Sequence, residues 1–130
     1  MAFYLDTSAL VKLVVAEPES AALREWLTTA ERSPVASDLV RSELMRAVRR
    51  AAPGSVVAAR EVLEAVTLLS LPSSTFESAG RLDPAMLRSL DAVHLAAALE
   101  LGDDLEGLVT YDDRLAAAAV AHGIAVVAPT

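Results

Sequence analysis

Short apolar runs of strand length alternate along the chain with longer stretches in which apolar residues recur at helical spacing. The runs predict strands at Phe3–Leu5, Val35–Ala36, Thr67–Leu71, Leu108–Thr110 and Ala125–Val127. Between them, "SALVKLVVAEPESAALREWLTTAE" carries Pro18, which should divide it into two helices. "SDLVRSELMRAVRRAAPG" reads as one helix, with Ser37 as its cap and Pro53-Gly54 as its stop. "SVVAAREVLEAV", "STFESAGRL", "LRSLDAVHLAAALELG" and "DDRLAAAAVAHG" supply the remaining helices. Strands alternating with helices predict an α/β fold, a parallel sheet covered by helices on both faces. No linker, repeat or low-complexity segment divides the chain, so residues 1–130 read as one domain. In such sheets the chemistry gathers at the carboxyl ends of the strands.

Composition narrows this picture. Hydrophobic residues make up 54% and aromatics only 4%, so Ala, Val and Leu must fill the core. The absence of cysteine excludes disulfides, thiolate metal sites and cysteine nucleophiles. No apolar stretch approaches the ~20 residues that cross a bilayer. The first apolar run is cut at Asp6 and has no basic start, unlike a signal peptide. These features predict a soluble, cytoplasmic protein without a membrane partner. The net charge of −7 argues against broad electrostatic binding to nucleic acid.

Four carboxylates stand where apolar residues are expected. Asp6 ends the first strand and is followed by Thr7 and Ser8; a helix cap alone would also explain it. "LVTYDDRL" repeats the pattern: Asp112 follows a strand closely and is the inward candidate, whereas Asp113 falls in a first helical turn, where negative charge is favoured. Glu43 lies within the apolar stripe of its helix, between Leu39 and Ala47. A bare carboxylate buried there costs several kcal/mol, so it requires a neutralising partner from another segment or a cation. Asp91 opens a helix that is apolar nearly all round from Ala92 to Leu99. Four acids converging on one cleft would repel one another unless a cation stood among them. An all-oxygen ligand set selects Mg²⁺, or Mn²⁺ as its substitute, over zinc. Such a centre activates water and stabilises a phosphodiester transition state.

The stretches "YLDTSALVKLVVAEPES", "SDLVRSELMRA", "LRSLDAVHLAAAL" and "LVTYDDRLAAAA" together resemble the PIN-domain ribonucleases, and more narrowly the VapC toxins of bacterial toxin–antitoxin pairs. Their order and spacing agree, and the likeness covers essentially the whole chain. The resemblance implies a parallel sheet of about five strands with the first strand central. It implies that Asp6, Glu43, Asp91 and Asp112 are catalytic and hold one or two Mg²⁺ ions, supported by Ser8, Thr7 and Thr110. It implies in-line hydrolysis of RNA, neutralisation by a cognate antitoxin, and pairing as a homodimer. Setting those four aside leaves 14 acids against 11 bases, a balance of −3. Arg41, Arg46, Arg49 and Arg50 share a helix with Glu43 and offer a phosphate-binding rim, or simply a solvated face.

Other residues are read more plainly. His94 sits one turn after Asp91 and reads as a hydrogen-bonded, partly buried histidine. His122 suits a helix end, Trp26 reads as core, and Lys12 carries no signal by itself. Competing functions fare worse. An aspartyl-phosphate enzyme of the haloacid-dehalogenase type needs a second Asp where Ser8 stands, a receiver domain needs a late lysine where the only lysine is Lys12, and no phosphate-loop motif occurs. The remaining alternative is a non-catalytic PIN-like module that binds RNA or protein, which magnesium binding would distinguish.

Overall fold

A computed structural model describes residues 1–130 and contains five strands and seven α-helices. The strands are β1 (Ala2–Leu5), β2 (Ser33–Ser37), β3 (Thr67–Leu69), β4 (Leu105–Val109) and β5 (Val126–Val127). They form one parallel sheet in the order β3-β2-β1-β4-β5, so the first strand is central, as expected. The helices are α1 (Thr7–Lys12), α2 (Ser20–Thr29), α3 (Leu39–Ala51), α4 (Val56–Ala65), α5 (Ser73–Gly80), α6 (Ser89–Leu99) and α7 (Asp113–Ala121). None is long and apolar enough to cross a membrane.

Side-chain alternation along the central strands divides the core between the two faces of the sheet. Leu5, Ala36 and Val109 join Leu10, Leu23, Val40, Leu44 and Ala59 in a core beneath α1–α4. Tyr4 and Leu108 point the other way, toward Leu95, Ala98, Leu115 and Ala119 on α6 and α7. α6 is buried continuously from Ala92 to Ala98, which explains why it is apolar all round.

Local chemistry sets the element ends. Asp6 caps α1, its Oδ1 accepting the Ala9 N–H at 3.1 Å. α1 stops at Lys12, six residues before Pro18, because Lys12 is tied to Glu19 at 2.8 Å and to Glu17 at 3.5 Å. Ser20 closes this turn, donating to the Val15 carbonyl and accepting the Glu17 N–H. Pro18 thus lies between two helices, as expected, in a turn held by ion pairs. The expected cap Ser37 is instead the last residue of β2, and its hydroxyl lies 3.0 Å from the buried Tyr4 hydroxyl. Asp38 precedes α3 and pairs with Arg41 at 2.8 Å rather than capping. β3 ends at Leu69 because Leu71 turns into the core between α5 and α6 and Pro72 begins the next helix. β4 begins three residues earlier than its apolar run: Gly107 lies against Phe3 and the Ala125 carbonyl, where a side chain has little room.

The strand order reverses between β1 and β4, and the carboxyl ends of strands at such a reversal are where open α/β sheets place their ligands. β1 leads into Asp6, and β4 leads into Thr110 and Asp112.

Candidate active site

Asp6 is 4% exposed and is held from three directions. Its Oδ1 accepts the Ser8 hydroxyl at 2.7 Å as well as the Ala9 N–H, and its Oδ2 accepts the Thr110 hydroxyl at 2.7 Å. Ser8 in turn accepts the Tyr111 N–H at 2.9 Å, and Thr110 accepts the Asp112 N–H at 3.1 Å. Two hydroxyls therefore stitch the β1–α1 turn to the β4–α7 turn. Burial pushes the Asp6 carboxyl above the ordinary carboxylate range, against the pull of these hydrogen bonds.

Asp112 is the residue before α7, and its Oδ1 accepts the Arg114 and Leu115 N–H groups at 2.9 and 3.0 Å. Asp113 is exposed in the first turn. Burial raises the Asp91 carboxyl, the charges of Asp112 and Asp6 push it the same way, and His94 pulls against them. Asp91 lies half-buried in the first turn of α6 and takes no part in the hydrogen bonds of the site.

Glu43 found its partner in another segment. Its Oε1 accepts the Thr7 hydroxyl at 2.9 Å and lies 2.7 Å from His94 Nε2. Burial pushes this carboxyl up, but the hydrogen bond and charge of His94, with the bond from Thr7, outweigh it and hold the group below its usual range. His94 is 2% exposed, more deeply buried than its sequence suggests, and its Nδ1 lies 2.7 Å from the Tyr4 hydroxyl. Tyr4 and His94 are the site residues that sequence reasoning passed over. The signal was present: an acid in an apolar stripe and a histidine on an apolar helix each needed a partner.

Two residues frame the edge. Lys12 is buried, with its ammonium 4.6 Å from the Tyr111 ring centre, so it pins the segment that leads to Asp112 while its charge goes to Glu19 and Glu17. Arg46, Arg49 and Arg50 line a shallow surface cavity of about 220 Å³, and Arg41 is occupied by Asp38. The field at Glu43 comes from His94 and not from these arginines. A larger depression of about 650 Å³, along α7 and Pro84–Leu87, contains no acid and lies apart from this chemistry.

The donor set suits a hard cation. Every candidate ligand is a carboxylate oxygen, and Glu43 Oε2, Asp112 Oδ2 and both Asp91 oxygens have no protein hydrogen-bond partner. No three of the acidic or histidine side chains converge closely enough to enclose an ion, so the arrangement is open and not a finished cage.

Comparison with known proteins follows the same lines. The PIN domain family model matches residues 3–121, from β1 through α7. The chain is 49% identical over 130 residues to ribonuclease VapC46 of Mycobacterium tuberculosis, covering 99% of this chain and 98% of that protein. It is 46% identical over 116 residues to ribonuclease VapC47 of the same species, covering 86% and 85% of the two chains. Among solved structures, the M. tuberculosis toxin VapC20, which cleaves the sarcin–ricin loop, superposes with a TM-score of 0.77 at 20% identity, over 98% of this chain and 99% of that one. The Rickettsia felis VapBC2 complex, bound to a DNA fragment from its promoter, gives 0.70 at 14% identity over the full length of both chains. Those two share the fold, and the closer sequence relatives supply the lineage: the chain belongs to the PIN domain family, in its VapC ribonuclease branch.

Proposed function

We propose that the chain is an endoribonuclease of the VapC type, the toxin half of a toxin–antitoxin pair, working with a divalent cation. One observation carries the metal reading: Asp6 and Asp112 follow adjacent central strands and are linked through Thr110, while Asp112 Oδ2, Glu43 Oε2 and both Asp91 oxygens accept no hydrogen bond from the protein and are left for a cation. Asp6, Glu43, Asp91 and Asp112 are the catalytic acids and the metal ligands, with Mg²⁺ as the ion and Mn²⁺ as its substitute. Such an ion, when bound, supplies Lewis acidity and lowers the pKa of water. The chain's own residues do the positioning. Ser8 and Thr110 fix both oxygens of Asp6, and Thr7 holds Glu43. Arg46, Arg49 and Arg50 form a rim for RNA phosphates, with Arg41 less available because of Asp38. A cognate antitoxin, a homodimeric state and a cytoplasmic location complete the reading.

The test is cleavage of total RNA by the purified chain with Mg²⁺ or Mn²⁺, then with excess EDTA, beside Asp91→Asn. Discrete fragments that disappear with EDTA, and that fall by at least about tenfold to a hundredfold in the variant, are expected. Equal cutting by both proteins would expose a contaminating nuclease. No cutting, with no Mg²⁺ binding by calorimetry, would leave the non-catalytic PIN-like module as the better description. Light scattering on the same preparation checks the homodimer.

A further inference from the structure

Both protein hydrogen bonds to the Glu43 carboxylate fall on one oxygen. Oε1 takes the Thr7 hydroxyl at 2.9 Å and His94 Nε2 at 2.7 Å, and Oε2 has no protein partner. A glutamate has three rotatable side-chain bonds, and one donor fixes a distance but not the plane of the carboxylate. The second donor removes that freedom only if it is itself immobile. His94 meets this condition: it is 2% exposed and its other nitrogen lies 2.7 Å from the Tyr4 hydroxyl. The Tyr4 and His94 rings meet edge to face, with centroids 5.7 Å apart at 69°. Tyr4 is fully buried in the central strand, and its hydroxyl also lies 3.0 Å from the Ser37 hydroxyl at the end of β2. No buried side-chain nitrogen or oxygen in the structure lacks a partner, so this chain of contacts is closed.

We propose that His94, clamped by Tyr4, is a positioning residue that fixes the Glu43 carboxylate so that one oxygen stays free for the divalent cation. The inference rests on Glu43 belonging to the acidic centre. Carboxylate ligands held by an outer hydrogen-bonding partner depend on it for affinity and rate. Here the pair runs from the central strand to a carboxylate that keeps one oxygen without a protein partner.

The experiment compares His94→Asn, whose shorter amide can meet Tyr4 but not Glu43, with His94→Gln, whose amide nitrogen reaches the place of Nε2. Three readouts are taken on the full chain: Mn²⁺ affinity by calorimetry, kcat and KM on RNA, and thermal unfolding in EDTA. His94→Asn is expected to weaken Mn²⁺ by about tenfold or more and to lower kcat with KM for RNA unchanged. His94→Gln should recover most of both losses. In a Glu43→Gln background, His94→Asn should cost no further Mn²⁺ affinity. Equal drops in unfolding temperature for the Asn and Gln variants, with wild-type Mn²⁺ affinity and kcat, would overturn the proposal, as would an undiminished effect in the Glu43→Gln background. Should His94→Asn fail to fold, Tyr4→Phe carries the test, since it keeps the ring and removes only the hydroxyl. Weakened Mn²⁺ binding supports the clamp, and unchanged binding overturns it. Glu43→Gln that alone leaves Mn²⁺ binding and cleavage intact would show that the acidic-centre reading had failed first.

Discussion

The carboxylate of Asp6 caps α1 through the Ala9 N–H and is at the same time the most buried of the four acids. The cap that its sequence context offered is therefore present, and it leaves the carboxylate at the end of a central strand, tied to Thr110 at the end of the neighbouring one. Its pKa and that of Asp91 are raised, chiefly by burial, and this has a consequence for metal-free stability. A carboxyl whose pKa is higher in the folded chain stabilises while protonated, fully so below its unfolded pKa, and this is lost as pH rises through the folded value. Glu43, whose pKa is lowered, works in the opposite direction: its contribution is present above the unfolded pKa and is lost as pH falls through the folded value. Asp91→Asn should therefore raise the unfolding temperature in EDTA at about pH 7, and the gain should shrink as pH falls toward about pH 4, the ordinary aspartate range, because the wild-type acid takes up its proton. Melts at the two pH values check this, and an equal gain at both would assign it to packing instead. The acids were legible because each interrupts an apolar pattern. The bonds of Thr7 to Glu43 and of Ser8 to Asp6 were not, since adjacent hydroxyls look alike until the helix fixes which way each points.

Elements were legible where their hydrophobic period was long and blurred where polar contacts set the ends. α6 and the five strands follow from apolar runs, whereas the early stop of α1 depends on Lys12 meeting Glu17 and Glu19 after the chain turns back. The end of α7 is sharper. Gly123 has φ +80°, its N–H bonds the Val120 carbonyl, and the Ile124 N–H bonds the Ala119 carbonyl, which together close the helix in a Schellman motif. Gly123→Ala should cost about 1–2 kcal/mol in urea unfolding, since a side chain disfavours that left-handed conformation. A Cβ at Gly107 would come within 3.0 Å of the Ala125 carbonyl, on the strand that joins β5 to the sheet. Gly107→Val should destabilise by about 1–3 kcal/mol through overpacking, measured in the same way.

At the scale of the whole molecule, a chain with a net charge of −7 must meet a polyanion through local features. Replacing Arg46, Arg49 and Arg50 together by alanine should raise KM for RNA and leave kcat largely intact. It should also flatten the dependence of binding on salt, by about 0.7 in log–log slope for each lost phosphate contact. Cleavage kinetics at several salt concentrations test both effects, and an unchanged slope would return these arginines to an ordinary solvated face. The sequence by itself determined the alternation of strands and helices, the parallel two-faced sheet and the positions of four misplaced acids. These are properties of hydrophobic period and of single residues that break it, and both are local. Only the tertiary structure decided which partner neutralises Glu43, because His94 is 51 residues away and reaches it across the core. The same holds for the union of Asp6 with Thr110, 104 residues apart, which forms only when parallel pairing brings the ends of β1 and β4 side by side.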